Sequence, residues 1–178
     1  SRTSSPSVPQ GSPEPTTEDQ RRAMTNFSLS RHIRIEAPAD RVHHLLDDFR
    51  EWQRWSPWEG VDPDLHREYS GPDHGVGSTY HWAGNKKAGE GEMTITESTP
   101  ASVVVDLVFL KPFNATNVTR FDLVPTGDTA DVTDVTWTMT GTRSAVMSLA
   151  GRLFFDRAIG KDFDRGLAAL KREAERAS

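Results

Sequence analysis

Between Tyr80 and Glu97 the chain reads YHWAGNKKAGEGEMTITE, and the alternation in this stretch limits the fold. Tyr80 and Trp82 share one side, and Thr79 and His81 share the other. Met93 and Ile95 then share a side against Glu92, Thr94 and Thr96. Period two on both arms predicts two strands, each with one buried face. Gly84-Asn85-Lys86-Lys87-Ala88-Gly89 lies between them, with residues that tolerate positive φ and two charges that keep a hairpin tip in water. The wide aromatics on the buried side point to a cavity.

Composition sets outer limits. The 178 residues suffice for one domain, and a chain of about 150 residues buries about 70% of its unfolded surface. There is no cysteine, so disulfides, thiolate metal sites and cysteine nucleophiles are all excluded. That usage suits a reducing compartment, and a cytoplasmic location is expected. Net charge is −5 with no basic stripe, which gives nucleic-acid binding no support. No apolar run approaches the roughly 20 residues of a membrane span. Residues 1–24 are rich in Pro and Ser and carry no aromatic side chain, so a disordered tail is expected there, with the folded domain over residues 25–178.

Phe27–Glu36 alternates and predicts a first strand. Pro38 and Asp40 open a short helix carrying Val42, Leu45, Leu46 and Phe49. Trp52, Trp55 and Trp58 follow at three-residue steps, in a second short helix or turn. Strands are expected over His66–Ser70, Gly77–Ala83, Gly89–Ser98, Ala101–Leu110, Ala115–Val124 and Asp131–Gly141. Their connections are short and rich in Gly, Pro and Asp, which favours antiparallel pairing. Helical periodicity then takes over: Phe155, Ile159, Phe163, Leu167, Leu170 and Ala174 form one stripe. Gly160 and Gly166 interrupt that helix, and allow close approach to a sheet or leave space beside it.

The order of elements, with GVGSTYHWAGNKKAGEGEMTITESTP, LVFLKPF, VTWTMTG and DFDRGLAALK in sequence, resembles the SRPBCC superfamily. That helix-grip group includes START domains, birch-pollen-allergen-like proteins and polyketide cyclase/dehydrase-like bacterial proteins; the last branch is the most similar. The resemblance spans roughly Phe27 to Arg176. It implies an α+β fold in which a seven-stranded antiparallel sheet wraps a long carboxy-terminal helix, with two short helices after the first strand. It also implies a hydrophobic cavity between sheet and helix. The family has no universal catalytic motif, so no catalytic residue carries over.

Alternation then names the expected walls: Tyr80, Trp82, Met93, Ile95, Phe109, Phe121, Trp137 and Met139 from strands, closed by Trp52, Trp55, Leu149, Leu153, Phe154 and Phe155 from helices. The Trp52–Trp58 segment is the expected lid. Such a site would take a small hydrophobic molecule, lipid-like or polyketide-like. The plain alternative is a filled aromatic core. Two further functions compete: a cyclase or dehydratase that folds a poly-β-keto chain in the same cavity, and a partner-binding module with a solid core. For the enzyme, Tyr80 is the acid candidate, ahead of Asp106 and His81. Glu90 and Glu92 oppose Met93 and Ile95 and are expected on the solvated face, unless the register is shifted by one residue. His43 and His44 point about 100° apart on a helix and make a poor metal clamp, no HExxH is present, and no metal or other cofactor is expected. The glycines of Gly75-Val76-Gly77 lead into a strand and do not form a nucleotide-binding loop.

Overall fold

The computed structural model describes residues 24–111, 114–144 and 149–176, with side chains described for all of these except 24–25, 143–144 and 149–155. The expected tail therefore lies outside the described residues, save Met24, which opens the first strand. Strands are β1 (Met24–Ile35), β2 (His66–Ser70), β3 (Thr79–Ala83), β4 (Glu90–Thr99), β5 (Ser102–Lys111), β6 (Ala115–Thr126) and β7 (Val132–Ser144). Helices are α1 (Ala39–Asp47) and α2 (Leu149–Arg176). All strand pairs are antiparallel, in the order β1-β7-β6-β5-β4-β3-β2. This is the α+β helix-grip fold expected from the sequence.

Only one of the two expected short helices is α-helical. Val42, Leu45 and Leu46 are the buried stripe of α1, and Asp40 in its first turn suits the helix dipole. The second is a single 3₁₀ turn, Glu51–Arg54. Trp52 within it and Trp55 and Trp58 beyond it recur every three residues, the period of a 3₁₀ helix, and Pro57 follows the turn closely. Two of those indoles complete α1. Trp52 Nε1 donates to the Leu46 carbonyl at 2.9 Å and Trp55 Nε1 to the Leu45 carbonyl at 2.8 Å. Carbonyls in the last turn of a helix have no intrahelical partner, so these side chains satisfy them.

The opening hairpin has the predicted faces. Tyr80 pairs with Met93 and His81 with Glu92. Gly89, at φ 66°, supplies the positive φ of the turn, and Asn85 Oδ1 accepts the Lys87 and Ala88 amides at 3.0 Å. A bulge after Ile95 pairs Ile95 with Val105 but Glu97 with Val104. Such a bulge re-aims the side chains that follow it. Ser98 consequently turns toward α1, where its Oγ lies 3.0 Å from His43 Nε2 and 3.4 Å from Asp47 Oδ2.

The long helix packs with Phe163, Leu167, Leu170 and Ala174 buried. Both interior glycines serve close approach. A Cβ on Gly166 would lie 2.9 Å from Pro57 Cδ and 2.9 Å from Trp137 Cζ3, and one on Gly160 would overlap the tip of the Arg31 guanidinium. The two sites predict opposite outcomes. In Gly160→Ala the flexible arginine tip moves aside, and the helix gains up to about 1 kcal/mol of propensity. In Gly166→Ala two rigid rings cannot yield, and overpacking costs about 1–3 kcal/mol. Urea unfolding of both variants checks this; equal shifts in midpoint would contradict the packing.

Candidate functional site

Register lines up the inner face of the sheet in rows. One row runs Phe27, Gly141, Asn117, Leu107, Met93, Tyr80, Tyr69 across all seven strands. The row on one side of it runs Ala115, Phe109, Gly91, Trp82, Arg67. Farther along on the other side lie Arg31, Trp137, Phe121 and Val103. These rows divide the face into two halves of different character.

The half around Trp137 is packed solid. Trp137 and Phe121 have no exposed surface and Trp55 has 1%. Phe163 from α2 stacks on Trp137 at 3.9 Å and 4°, Phe121 stacks on its flank at 4.9 Å, and Trp55 and Trp58 meet it edge-on. Trp52 lies 4.7 Å from Trp55. The Trp52–Trp58 segment, expected as a lid, is thus anchored: two of its indoles bind α1 carbonyls, and Trp58 Nε1 is 3.3 Å from Asp162 Oδ2.

In the other half, Trp82, Met93 and Phe109 face inward yet stay only partly buried, with Trp82 and Phe109 edge-to-face at 5.9 Å. Tyr80 is buried at 7% exposure and lies between Tyr69 at 5.2 Å and Trp82 at 6.1 Å. Small residues separate these rings. Gly91 lets Trp82 lie flat across β4, and the Trp82 indole donates to the Ala88 carbonyl at 3.0 Å. Ile95 and Met139 are buried along the boundary between the halves. Leu149, Leu153, Phe154 and Phe155 belong to α2, but their side chains lie outside the described residues.

Polar groups converge beside this apolar surface, and the sequence reading missed most of them. Arg67 Nη2 binds Glu59 Oε2 at 2.5 Å, with both side chains largely covered. The Glu59 hydrogen bond keeps the guanidinium firmly charged, raising its pKa further. Its Nε is buried with no partner among the described residues. Gln53 Nε2 donates to the Tyr69 hydroxyl at 2.8 Å, and the Arg50 guanidinium covers the Tyr69 ring at 4.7 Å. Burial, then the negative charge of Glu59 and the neighbouring Tyr69, push the Tyr80 phenol up to about 12 against the pull of Arg67. Tyr80 is therefore a protonated donor at neutral pH and not a base. On β6, Asn117 and Thr119 are inward and buried, at 8% and 4% exposure. They share the parity of Phe121 and Leu123, so strand alternation could have found them.

The raised phenol pKa links protonation to folding. A group that holds its proton more tightly when folded contributes its full share of stability below the unfolded pKa. That share is lost as pH rises through the folded value, here between about 10 and 12. Tyr69 and Tyr80 are the two tyrosines of the chain. In Tyr69→Phe the phenolate absorbance should therefore rise with a midpoint still above the usual tyrosine value, because burial, the largest cause, remains while the Tyr69 contribution is gone. A midpoint at about 10 would place Tyr80 in water.

The outer face holds the other candidates. His81 Nε2 is 3.3 Å from Glu90 Oε1, and Lys111 Nζ is 2.7 Å from Glu90 Oε2. The Lys111 hydrogen bond holds the Glu90 carboxyl below the usual carboxylate range, so it acts as a fixed anion. Glu92 and Asp106 are exposed. Two open depressions of about 520 Å³ lie against the sheet, one lined by Glu68, Tyr69, Thr79 and His81, the other by Phe27, Ser28, Thr140 and Gly141. Ser98, His43 and Asp47 have the residue types of a hydrolytic triad but not its geometry: Asp47 Oδ2 is 3.8 Å from His43 Nδ1 and itself accepts from Ser98. Among the described residues, no three His, Asp or Glu side chains are grouped to hold a metal, and no helix is long and apolar enough to cross a membrane.

A family model described as polyketide cyclase / dehydrase and lipid transport matches residues 24–175. No curated protein matches the sequence significantly. Solved structures with the same fold include norcoclaurine synthase from Thalictrum flavum in complex with dopamine and hydroxybenzaldehyde. It is 11% identical, with a TM-score of 0.66 over 98% of this chain and 99% of that one. The di-domain ARO/CYC BexL of the BE-7585A biosynthetic pathway is 18% identical, with a TM-score of 0.62 over 84% of this chain and 50% of that one. A protein from Thermobifida fusca is 25% identical, with a TM-score of 0.59 over 84% of this chain and 93% of that one.

Proposed function

The chain belongs to the polyketide cyclase / dehydrase and lipid transport family, and we propose that it binds a small, mainly apolar molecule on the open half of the inner sheet face. One observation carries this: Trp82, Met93 and Phe109 point inward from three adjacent strands and remain partly exposed. Inward aromatics that only completed a core would be covered, as Trp55, Phe121 and Trp137 are. An apolar wall with a few converging polar groups is the usual make-up of a small-molecule site. Two measurements test it: native mass spectrometry of protein purified from its own host, and titration with a hydrophobic fluorescent probe. A co-purifying small molecule, or saturable probe binding displaced by such a molecule, is expected. Absence of both would sink the proposal.

A second reading, a cyclase or dehydratase, is favoured by one feature, the buried phenol of Tyr80 beside the Glu59–Arg67 pair. A phenol that stays protonated can donate to a carbonyl oxygen as negative charge builds on it. The enzyme would cyclise a model poly-β-keto thioester, and Tyr80→Phe would lose turnover while keeping probe affinity. Equal turnover in Tyr80→Phe would remove Tyr80 from that role.

A further inference from the structure

The linear sequence shows no basic stripe, but the folded α2 has one. Arg157, Lys161, Arg165, Arg172 and Arg176 recur along it at steps of four and seven. At 3.6 residues per turn this spacing keeps all five within an arc of about 100°. All five are exposed, on the side of α2 opposite the buried Phe163, Leu167, Leu170 and Ala174. From Arg157 to Arg176 the stripe is about 29 Å long at 1.5 Å per residue. Ala158 and Ala168 lie between its cations, and over this length it holds no larger apolar side chain.

Much of this charge is uncommitted. Arg165 pairs with Asp162 at 2.5 Å and Arg176 with Glu173 at 2.9 Å, each one turn back along the helix. Arg157, Lys161 and Arg172 form no ion pair among the described residues. Acidic side chains border the stripe on both flanks. Toward β1, Asp164 meets Arg31 at 3.5 Å, and Glu175 takes Lys171 at 2.5 Å and the Glu36 amide at 2.9 Å. Asp162 and Glu173 lie on the opposite flank, Asp162 against the Trp58 indole.

This arrangement selects the shape of an anionic partner. A helix in the major groove of a duplex turns both flanks to phosphates, and here both flanks are acidic. A stable protein contact is centred on aromatic or other large anchors packed in pockets, and the stripe offers only alanine between its cations. A flat anionic surface touches the crest alone. Lipid headgroups form such a surface, and they attract Lys and Arg within a Debye length, about 10 Å at 0.1 M salt. The chain as a whole carries a net charge of −5, so general adsorption to anionic lipid is repulsive and only a local basic surface brings it down.

We infer that α2 docks this protein on a membrane surface rich in anionic headgroups, with the basic crest against the lipid. The crest has no apolar anchor, so the association is peripheral, reversible and salt-dependent. It is independent of the inner-face site proposed above.

Vesicle flotation of the full chain tests this. One set of vesicles is phosphatidylcholine, the other an equimolar mixture of phosphatidylcholine and phosphatidylglycerol. Binding to the mixture alone is expected, with release in molar salt, where the screening length falls to about 3 Å. Each cation near such a surface adds about fivefold to partitioning, so Arg157→Gln/Lys161→Gln/Arg172→Gln should weaken binding about a hundredfold. Arg172→Gln alone, expected to weaken it about fivefold, carries the test if the triple variant does not fold. Lys86→Gln/Lys87→Gln removes exposed cations from the hairpin tip and should leave binding unchanged. Equal loss per charge at the tip would show diffuse attraction and overturn the assignment to α2, as would full binding by the triple variant. Binding to neither vesicle, or equally to both, would overturn the docking itself. Tighter binding to duplex DNA or to polyglutamate than to the mixed vesicles would give the stripe a different polyanion and overturn the lipid surface.

Discussion

Trp55→Ala should cost about 3–5 kcal/mol, near the top of what a single truncation does. Trp55 is 1% exposed and touches Trp52, Phe121 and Trp137 with its ring. Truncation leaves a hole among rings that are themselves held: Trp137 is clamped by Phe163, and Trp52 by its bond to Leu46. Rigid neighbours cannot collapse into the space, which places the cost toward the upper end. The Leu45 carbonyl also loses its donor at the end of α1. Against a total stability of about 5–15 kcal/mol, the variant should be marginal. With a urea dependence of about 2 kcal/mol per molar, its midpoint should drop by about 2 M. Trp55→Phe should fall between, since it refills most of the volume but leaves the carbonyl unpaired. If Trp55→Phe were as damaging as alanine, the hydrogen bond would outweigh the packing, contrary to this assignment.

That cluster also marks where the sequence stops being informative. Alternation placed Tyr80, Trp82, Met93 and Ile95 on one side of a hairpin, because side-chain direction in a strand follows from covalent geometry. The same rule placed Phe121, Trp137 and Met139 inward. It could not separate Trp137, sealed under Phe163, from Trp82, left partly open. That difference depends on where α2 and the tryptophan turn come to rest, and no local pattern encodes it. The bulge after Ile95 was hidden for a similar reason: it is a pairing event between two strands, and it carries Ser98 to the face that simple counting denies it. Glu59 and Arg67 come from a loop and an edge strand, so their ion pair beside Tyr80 is formed only by the folded chain. Asn117 and Thr119 were legible by parity, but a search for apolar walls passes over polar residues.

Gly91→Ala should damage the protein in two measurable ways at once. An alanine in mid-strand ordinarily gains about 0.5–1 kcal/mol over glycine. Here the new methyl would overlap Cζ2 and Cη2 of Trp82 and lie 2.6 Å from the Val108 carbonyl oxygen. The Trp82 ring is tied by its indole to Ala88, and the Val108 oxygen belongs to the neighbouring β5 backbone, so neither moves freely. Overpacking of about 1–3 kcal/mol therefore outweighs the strand gain. The ring that yields is also the one proposed as ligand wall, so hydrophobic probe affinity should fall about tenfold, equivalent to about 1.4 kcal/mol. Trp82→Ala separates the two causes. With the indole gone, the Val108 oxygen is the close contact left to the methyl introduced by Gly91→Ala. Adding Gly91→Ala to Trp82→Ala should then cost less stability than adding it to the wild type, and should change probe binding little. Full additivity in stability would mean that the Val108 contact, and not Trp82, decides the penalty. Full additivity in affinity would mean that Gly91 shapes the ligand site by a route other than the tryptophan it supports.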